Sequence, residues 1–309
     1  MSAINYKTNG LLFLILISFF LTLFSVENHA EKKNYKLLKE KSFQVNPGMM
    51  LVLESDGGDV EVTTWDKNSV HVKIFGNSKA EKMFSFEFDS NEKRVYIQGK
   101  KHGRSIFNWF SSASLKYEIT VPYNFNTQIS TSGGDVNVLS LEGELSINTS
   151  GGDIYLKNSG GMLEARTSGG DIKLNYFDGE MKLATSGGDI DANHSTGNIE
   201  ARTSGGDISL GIKSGKISAR TSGGDISLSY KGKNKGIELY SSGGDINVKV
   251  PQNFSADTEI KSTGGDIILK FPGITLHKIS NQYYTGKINS GTEPFILKTI
   301  GGDVLITGK

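Results

Sequence analysis

The chain has 309 residues, with 34 Lys and Arg against 33 Asp and Glu and a formal net charge of +1. Charge alone therefore directs it neither to nucleic acid nor to an acidic polymer. The absence of cysteine excludes disulfides, thiol catalysis, Cys-ligated metal and a lipid-modified N-terminal cysteine, while 38 glycines against 5 prolines, set among regular apolar positions, fit a repetitive β protein rather than a disordered one.

Residues 1–30 read as an export signal: Lys7 precedes the apolar run from Leu11 to Val26, and Ala30 offers a cleavage point. That run is shorter than the roughly 20 residues a membrane span needs, so a cleaved signal is expected, with a retained anchor as the alternative. Export places the protein in the periplasm, on the cell surface or outside the cell, away from ATP-coupled and cytosolic chemistry. Residues 31–42, EKKNYKLLKEKS, read as a solvated lysine-rich lead-in. Its lysines would touch anionic headgroups only if the anchor were retained, the one circumstance in which a membrane is a partner.

From Phe43 to Phe125 the alternation is longer. Val60, Val62, Val70, Val72, Ile74, Phe84, Phe86, Phe88, Tyr117, Ile119 and Val121 mark strands separated by polar turns. This region, residues 43–125, is expected to be antiparallel and to cap the array that follows, since an open terminal coil exposes both core and unpaired backbone. Within it SIFNWFSS crowds Phe107, Trp109 and Phe110 together. They either fold back over the neighbouring sheet or form a contact patch for a partner.

Residues 126–309 are governed by repetition. Ser-Gly-Gly-Asp recurs every eighteen residues, at Gly133-Gly134, Gly151-Gly152, Gly169-Gly170, Gly187-Gly188, Gly205-Gly206 and Gly223-Gly224. GGD returns at Gly243, Gly264 and Gly301, with an outlying copy at Gly57. A fixed short period means that one structural unit is stacked on itself. The unit GGDIYLKNSGGMLEARTS holds two alternating runs, one with Ile154 and Leu156 on a face, the other with Leu163, Ala165 and Thr167. Period two bounded by Gly, Asn and Ser signals strands, and glycine at this density excludes a helix.

The fold class expected is all-β: a parallel β-solenoid with two short strands per eighteen-residue coil, right-handed by the crossover rule, preceded by the antiparallel cap. Roughly ten coils at about 4.8 Å each would span about 50 Å. Arg166, Ala184, Arg202 and Arg220 form a mostly cationic outward column, read as a solvated face, with an anion-binding stripe as the alternative.

The sharpest candidate site is the column Asp135, Asp153, Asp171, Asp189, Asp207 and Asp225. Stacked carboxylates repel, so something must offset the repulsion. The structural reading is that each accepts hydrogen bonds from its own Gly-Gly turn or a neighbouring Ser hydroxyl. The functional reading is calcium, as in RTX repeats, but those need the Gly-rich acidic turn on both sides of the coil, and the second turns here read LEGE, SGGM, FDGE, STGN and KSGK. The Gly pairs are therefore read as structural turns, and no cofactor is expected.

Five scattered histidines lack zinc spacing. No G-x-S-x-G elbow or phosphate loop is present. The expectation is a non-catalytic protein, with a polysaccharide-active β-helix enzyme as the strongest catalytic alternative.

The lead FQVNPGMMLVLESDGGDVEV, the link Val121-Pro122 into TSGGDVNV and the tandem SGGDI units resemble the bacterial putative-adhesin family of GGD β-strand repeat domains, from about Phe43 to the C-terminus. The resemblance implies a β-solenoid at the cell envelope or surface that serves an adhesin-like binding or structural role, with an envelope or surface protein or glycan as partner.

Overall fold

Alternation of apolar and polar residues makes strands wherever Gly, Asn and Ser interrupt it, and the computed structural model shows strands almost throughout. It describes residues 35–102, 113–270 and 274–308; the export signal and the Phe107, Trp109, Phe110 cluster lie outside them. The N-terminal part holds β1 (Lys36–Gln44), β2 (Met50–Ser55), β3 (Asp59–Trp65), β4 (Ser69–Gly76), the short helix α1 (Ser78–Met83), β5 (Phe84–Ser90), β6 (Arg94–Lys101), β7 (Leu115–Pro122), β8 (Asn126–Thr131) and β9 (Val136–Leu139).

The repeat supplies β10 (Glu142–Thr149), β11 (Ile154–Arg166), β12 (Ile172–Ala184), β13 (Ile190–Ser195), β14 (Ile199–Arg202), β15 (Ile208–Ile212), β16 (Ile217–Thr221), β17 (Ile226–Tyr230), β18 (Ile237–Ser241) and β19 (Ile246–Val250). The C-terminal part adds β20 (Ala256–Ser262), β21 (Ile267–Lys270), β22 (Ile274–Ser280), β23 (Tyr283–Ile288), β24 (Pro294–Thr299) and β25 (Val304–Gly308).

Pairing makes a long, unclosed, largely parallel sheet system of the kind a solenoid builds. Two series of ladders run side by side. The first passes from β8 through β10, the second halves of β11 and β12, then β14, β16 and β18. The other passes from β9 through the first halves of β11 and β12, then β13, β15, β17 and β19. Identical repeat positions are partners: Ile154 with Ile172, Ile172 with Ile190, Leu163 with Met181. Ile154, Ile172, Ile190, Ile208 and Ile226 are all fully buried. Fully removing such a side chain from water stabilises by about 1.5–3 kcal/mol, so these columns are the main source of cohesion.

Both ends depart from chain order. The GGD copy at Gly57 is a full rung, because β2 lies parallel to β8 and β3 parallel to β9. Strands β6 and β7 then stack, also parallel, on β2 and β3. The N-terminal region is therefore mixed rather than antiparallel as expected: among the described residues only β1–β4, β4–β7 and β5–β6 run antiparallel there. The stretch read as a solvated lead-in contributes β1 from Lys36 onward.

At the other end β24 inserts between β18 and β20, and β25 between β19 and β21. The rung headed by Gly301 thus sits in space between those of Gly243 and Gly264. The hairpin β22–β23 closes antiparallel on β20.

Candidate functional site

The columns created by stacking are the places where chemistry could reside. The Asp column is a chain of hydrogen bonds that runs from rung to rung. Asp153 N–H donates to Asp135 Oδ1 at 2.9 Å, Asp171 to Asp153 at 2.8 Å and Asp189 to Asp171 at 2.9 Å. Asp207, Asp225 and Asp245 continue it. The acceptor bonds thus come from the next rung's backbone rather than from the residue's own Gly-Gly turn. The reason is geometric: parallel stacking puts the next Asp N–H about one strand spacing away. Asp171 is held below the usual carboxylate range, first by the Asp189 N–H and then by the Lys173 ammonium at 2.9 Å. No group of three or more acidic or histidine side chains is arranged to hold a metal among the described residues.

A second column lies inside. Thr149, Thr167, Thr185, Thr203 and Thr221 are buried, as their place on the face of Leu163 and Ala165 requires. Each hydroxyl donates to the carbonyl of the second glycine one rung back, as Thr167 Oγ1 does to Gly152 O at 2.9 Å, and accepts from its own turn, as from Gly170 N. Every buried hydroxyl in the column thus finds partners on two rungs.

These contacts separate the paired glycines. A Cβ on Gly152 would stand 1.9 Å from Gly134 O and one on Gly170 2.1 Å from Gly152 O, whereas one on Gly151 would meet nothing within 4 Å. At these turns the second glycine is required by the close approach of the preceding rung and the first is not, although toward the C-terminal end a Cβ on the first glycine, Gly223 or Gly243, would also come within 3.2 and 3.0 Å of a carbonyl of the preceding rung. The sequence treats the two as equivalent.

The opposite corner carries a feature that reading the sequence missed. Ser140, Asn158, Tyr176 and His194 all adopt a left-handed backbone, with φ between 53° and 61°. Asn is prone to this conformation, but Tyr gives no such warning. The Tyr176 and His194 rings stack there with centroids 4.8 Å apart.

On the outer side of the first series, the cationic column is largely paired within the sheet. Arg166 bonds Glu164, Arg202 lies 2.5 Å from Glu200, and Arg220 lies 3.8 Å from Glu238. Toward the Gly-Gly turns this surface forms shallow notches, one near the N-terminal end and another beside Arg220, Lys261 and Lys298.

The profile of the family described as Toastrack DUF4097 matches residues 49–307. The chain belongs to the Toastrack DUF4097 family. The match takes in the Toastrack chain from the start of the first parallel rung to β25, so both interlocked ends fall inside it. Solved structures similar to this Toastrack chain include a "putative adhesin" from Parabacteroides merdae, at 13% identity over 87% of this chain and 96% of that one, with a TM-score of 0.49. Another "putative adhesin", from Bacteroides fragilis, shares 14% identity over 88% and 97%, with a TM-score of 0.42. A "putative lipid binding protein" from Parabacteroides distasonis shares 14% over 87% and 96%, with a TM-score of 0.36. No curated protein matches the chain. Among the described residues, no helix of this Toastrack chain is long and apolar enough to cross a membrane.

Proposed function

We propose that the chain is a non-catalytic, exported envelope or surface module that binds a protein or glycan partner along its outward rows. In this reading each coil contributes two short strands to a right-handed stack, and β1, β4 and β5 close the N-terminal end as a cap. One observation carries the proposal. The side chains best suited to chemistry, the Asp carboxylates and Thr hydroxyls, are engaged from rung to rung in holding the stack together. What remains for contact is a long regular surface, the usual resource of repeat architectures.

The test is retention of the purified protein by an envelope fraction, together with a glycan panel assayed for cleavage. Saturable retention without product formation is expected. Release of reducing ends or unsaturated sugars, abolished by substituting particular acids, would overturn the reading in favour of a polysaccharide-active enzyme.

A further inference from the structure

We propose that the C-terminal end of the first series carries a binding notch for an acidic polysaccharide. The inference rests on the binding role proposed above and names its ligand class. Insertion of β24 brings three distant stretches into one row: Arg220 pairs with Tyr240, Tyr240 with Lys298 and Lys298 with Lys261. Adjacent members are about 4.8 Å apart, the spacing of neighbouring strands. Beside the row lies a shallow notch of about 420 Å³, lined by these four residues and by the exposed Ser222, Ser242 and Thr263. No carboxylate lines it.

The cations are available to a ligand from the notch side. Lys261 has no ion pair among the described residues. Lys298 Nζ meets Glu259 at 2.8 Å and Arg220 meets Glu238 at 3.8 Å, but these glutamates sit two residues back along their strands, away from the Gly-Gly turns. Both pairs lie at the surface with half-buried partners, and surface ion pairs are each worth under about 1 kcal/mol, so a ligand carboxylate can compete for both cations. The Arg220 guanidinium is stacked on the Tyr240 ring, 4.1 Å from its centroid, which orients its donor edge for bidentate contact with a carboxylate.

The same stacking argues against nucleic acid, because the Tyr240 face that would receive a base is already occupied. The near-neutral chain also lacks the extended positive field such a partner needs. A sugar polymer with regularly spaced carboxylates satisfies both halves of the site: its acids reach the cations and its ring hydroxyls reach the Ser and Thr hydroxyls.

The molecule supplies its own control. The notch near the N-terminal end, about 380 Å³, is also lined by Ser and Thr but carries Glu54 and Asp56 with Lys100, so its charge is reversed.

The experiment measures binding of the full exported chain to polygalacturonate, to neutral dextran and to polyphosphate. Polygalacturonate is expected to bind, and added salt to weaken it. The Lys261→Gln/Lys298→Gln variant should bind it about tenfold more weakly at unchanged Tm, while Lys100→Gln leaves binding intact. Equal binding to dextran, tighter binding to polyphosphate, or indifference to the double substitution would each overturn the proposal. Failure on polygalacturonate with envelope retention intact removes the notch alone; failure of both removes the binding role as well.

Discussion

The backbone N–H of Asp303 donates to Asp245 Oδ1 at 2.7 Å across fifty-eight residues of chain, so the last rung in sequence closes between two earlier ones. Strands β18 and β20 reach each other only through β24. Deleting residues 294–309 should therefore separate the C-terminal hairpin from the array instead of trimming an end. The expected outcome is a fall in Tm well beyond the roughly 2–4 °C that about 1 kcal/mol produces in a chain of this size, together with a broadened transition by circular dichroism.

Gly169→Ala and Gly170→Ala change adjacent residues of one turn by the same single methyl. At Gly169 the nearest atom to the new Cβ is 3.8 Å away; at Gly170 it is the Gly152 carbonyl at 2.1 Å. Gly170→Ala should cost about 1–3 kcal/mol, or more, by forcing two rungs apart, and Gly169→Ala should stay within about 0.5 kcal/mol of the parent. Urea denaturation of both variants checks the contrast.

Thr185 Oγ1 donates to Gly170 O at 2.8 Å and accepts from Gly188 N. Thr185→Val leaves both groups without that partner and should cost about 1–3 kcal/mol. Thr185→Ser should retain most of the stability, because Ser241 makes the same bond to Gly224 O at 2.9 Å. Loss in Thr185→Ser with Thr185→Val unchanged would mean that methyl packing, and not the hydroxyl, holds the turn.

Acid should loosen the Asp column at Asp171. Its carboxyl is lowered from 3.8 by the Asp189 N–H first and Lys173 second. The stability it contributes is full above its unfolded value and disappears as pH falls through the lower folded one. Asp171→Asn keeps an oxygen acceptor for the Asp189 N–H but cannot titrate. It should be less stable than the parent near neutral pH by under about 1 kcal/mol, and the gap should narrow in acid. Tm measured across the acid range tests this.

Much of the fold is legible in eighteen residues. The period alone makes Ile154, Ile172 and Ile190 neighbours, and alternation alone turns Thr167 inward with Leu163. The ends are not legible, because every GGD turn offers the same hydrogen-bonding pattern and any rung can accept any other. Sequence order therefore gives no sign that Gly301 belongs between Gly243 and Gly264, or that Gly57 heads a rung beside Gly133. The row Arg220, Tyr240, Lys298 and Lys261 depends on that insertion and was hidden with it. The Asp column was visible as a column, but its partner was not: a carboxylate can reach its own turn or the next rung, and only the spacing between strands decides. The Phe107, Trp109 and Phe110 cluster falls outside the described residues.

In the middle of the array each rung bonds only to the one before and the one after, whereas the topological interlocks are confined to the two ends. Duplicating one unit, residues 187–204 for example, would then lengthen the protein by about 4.8 Å and leave both termini and their closures as they are. Length in this architecture is a freely adjustable dimension, and selection can act on it by adding or removing whole units.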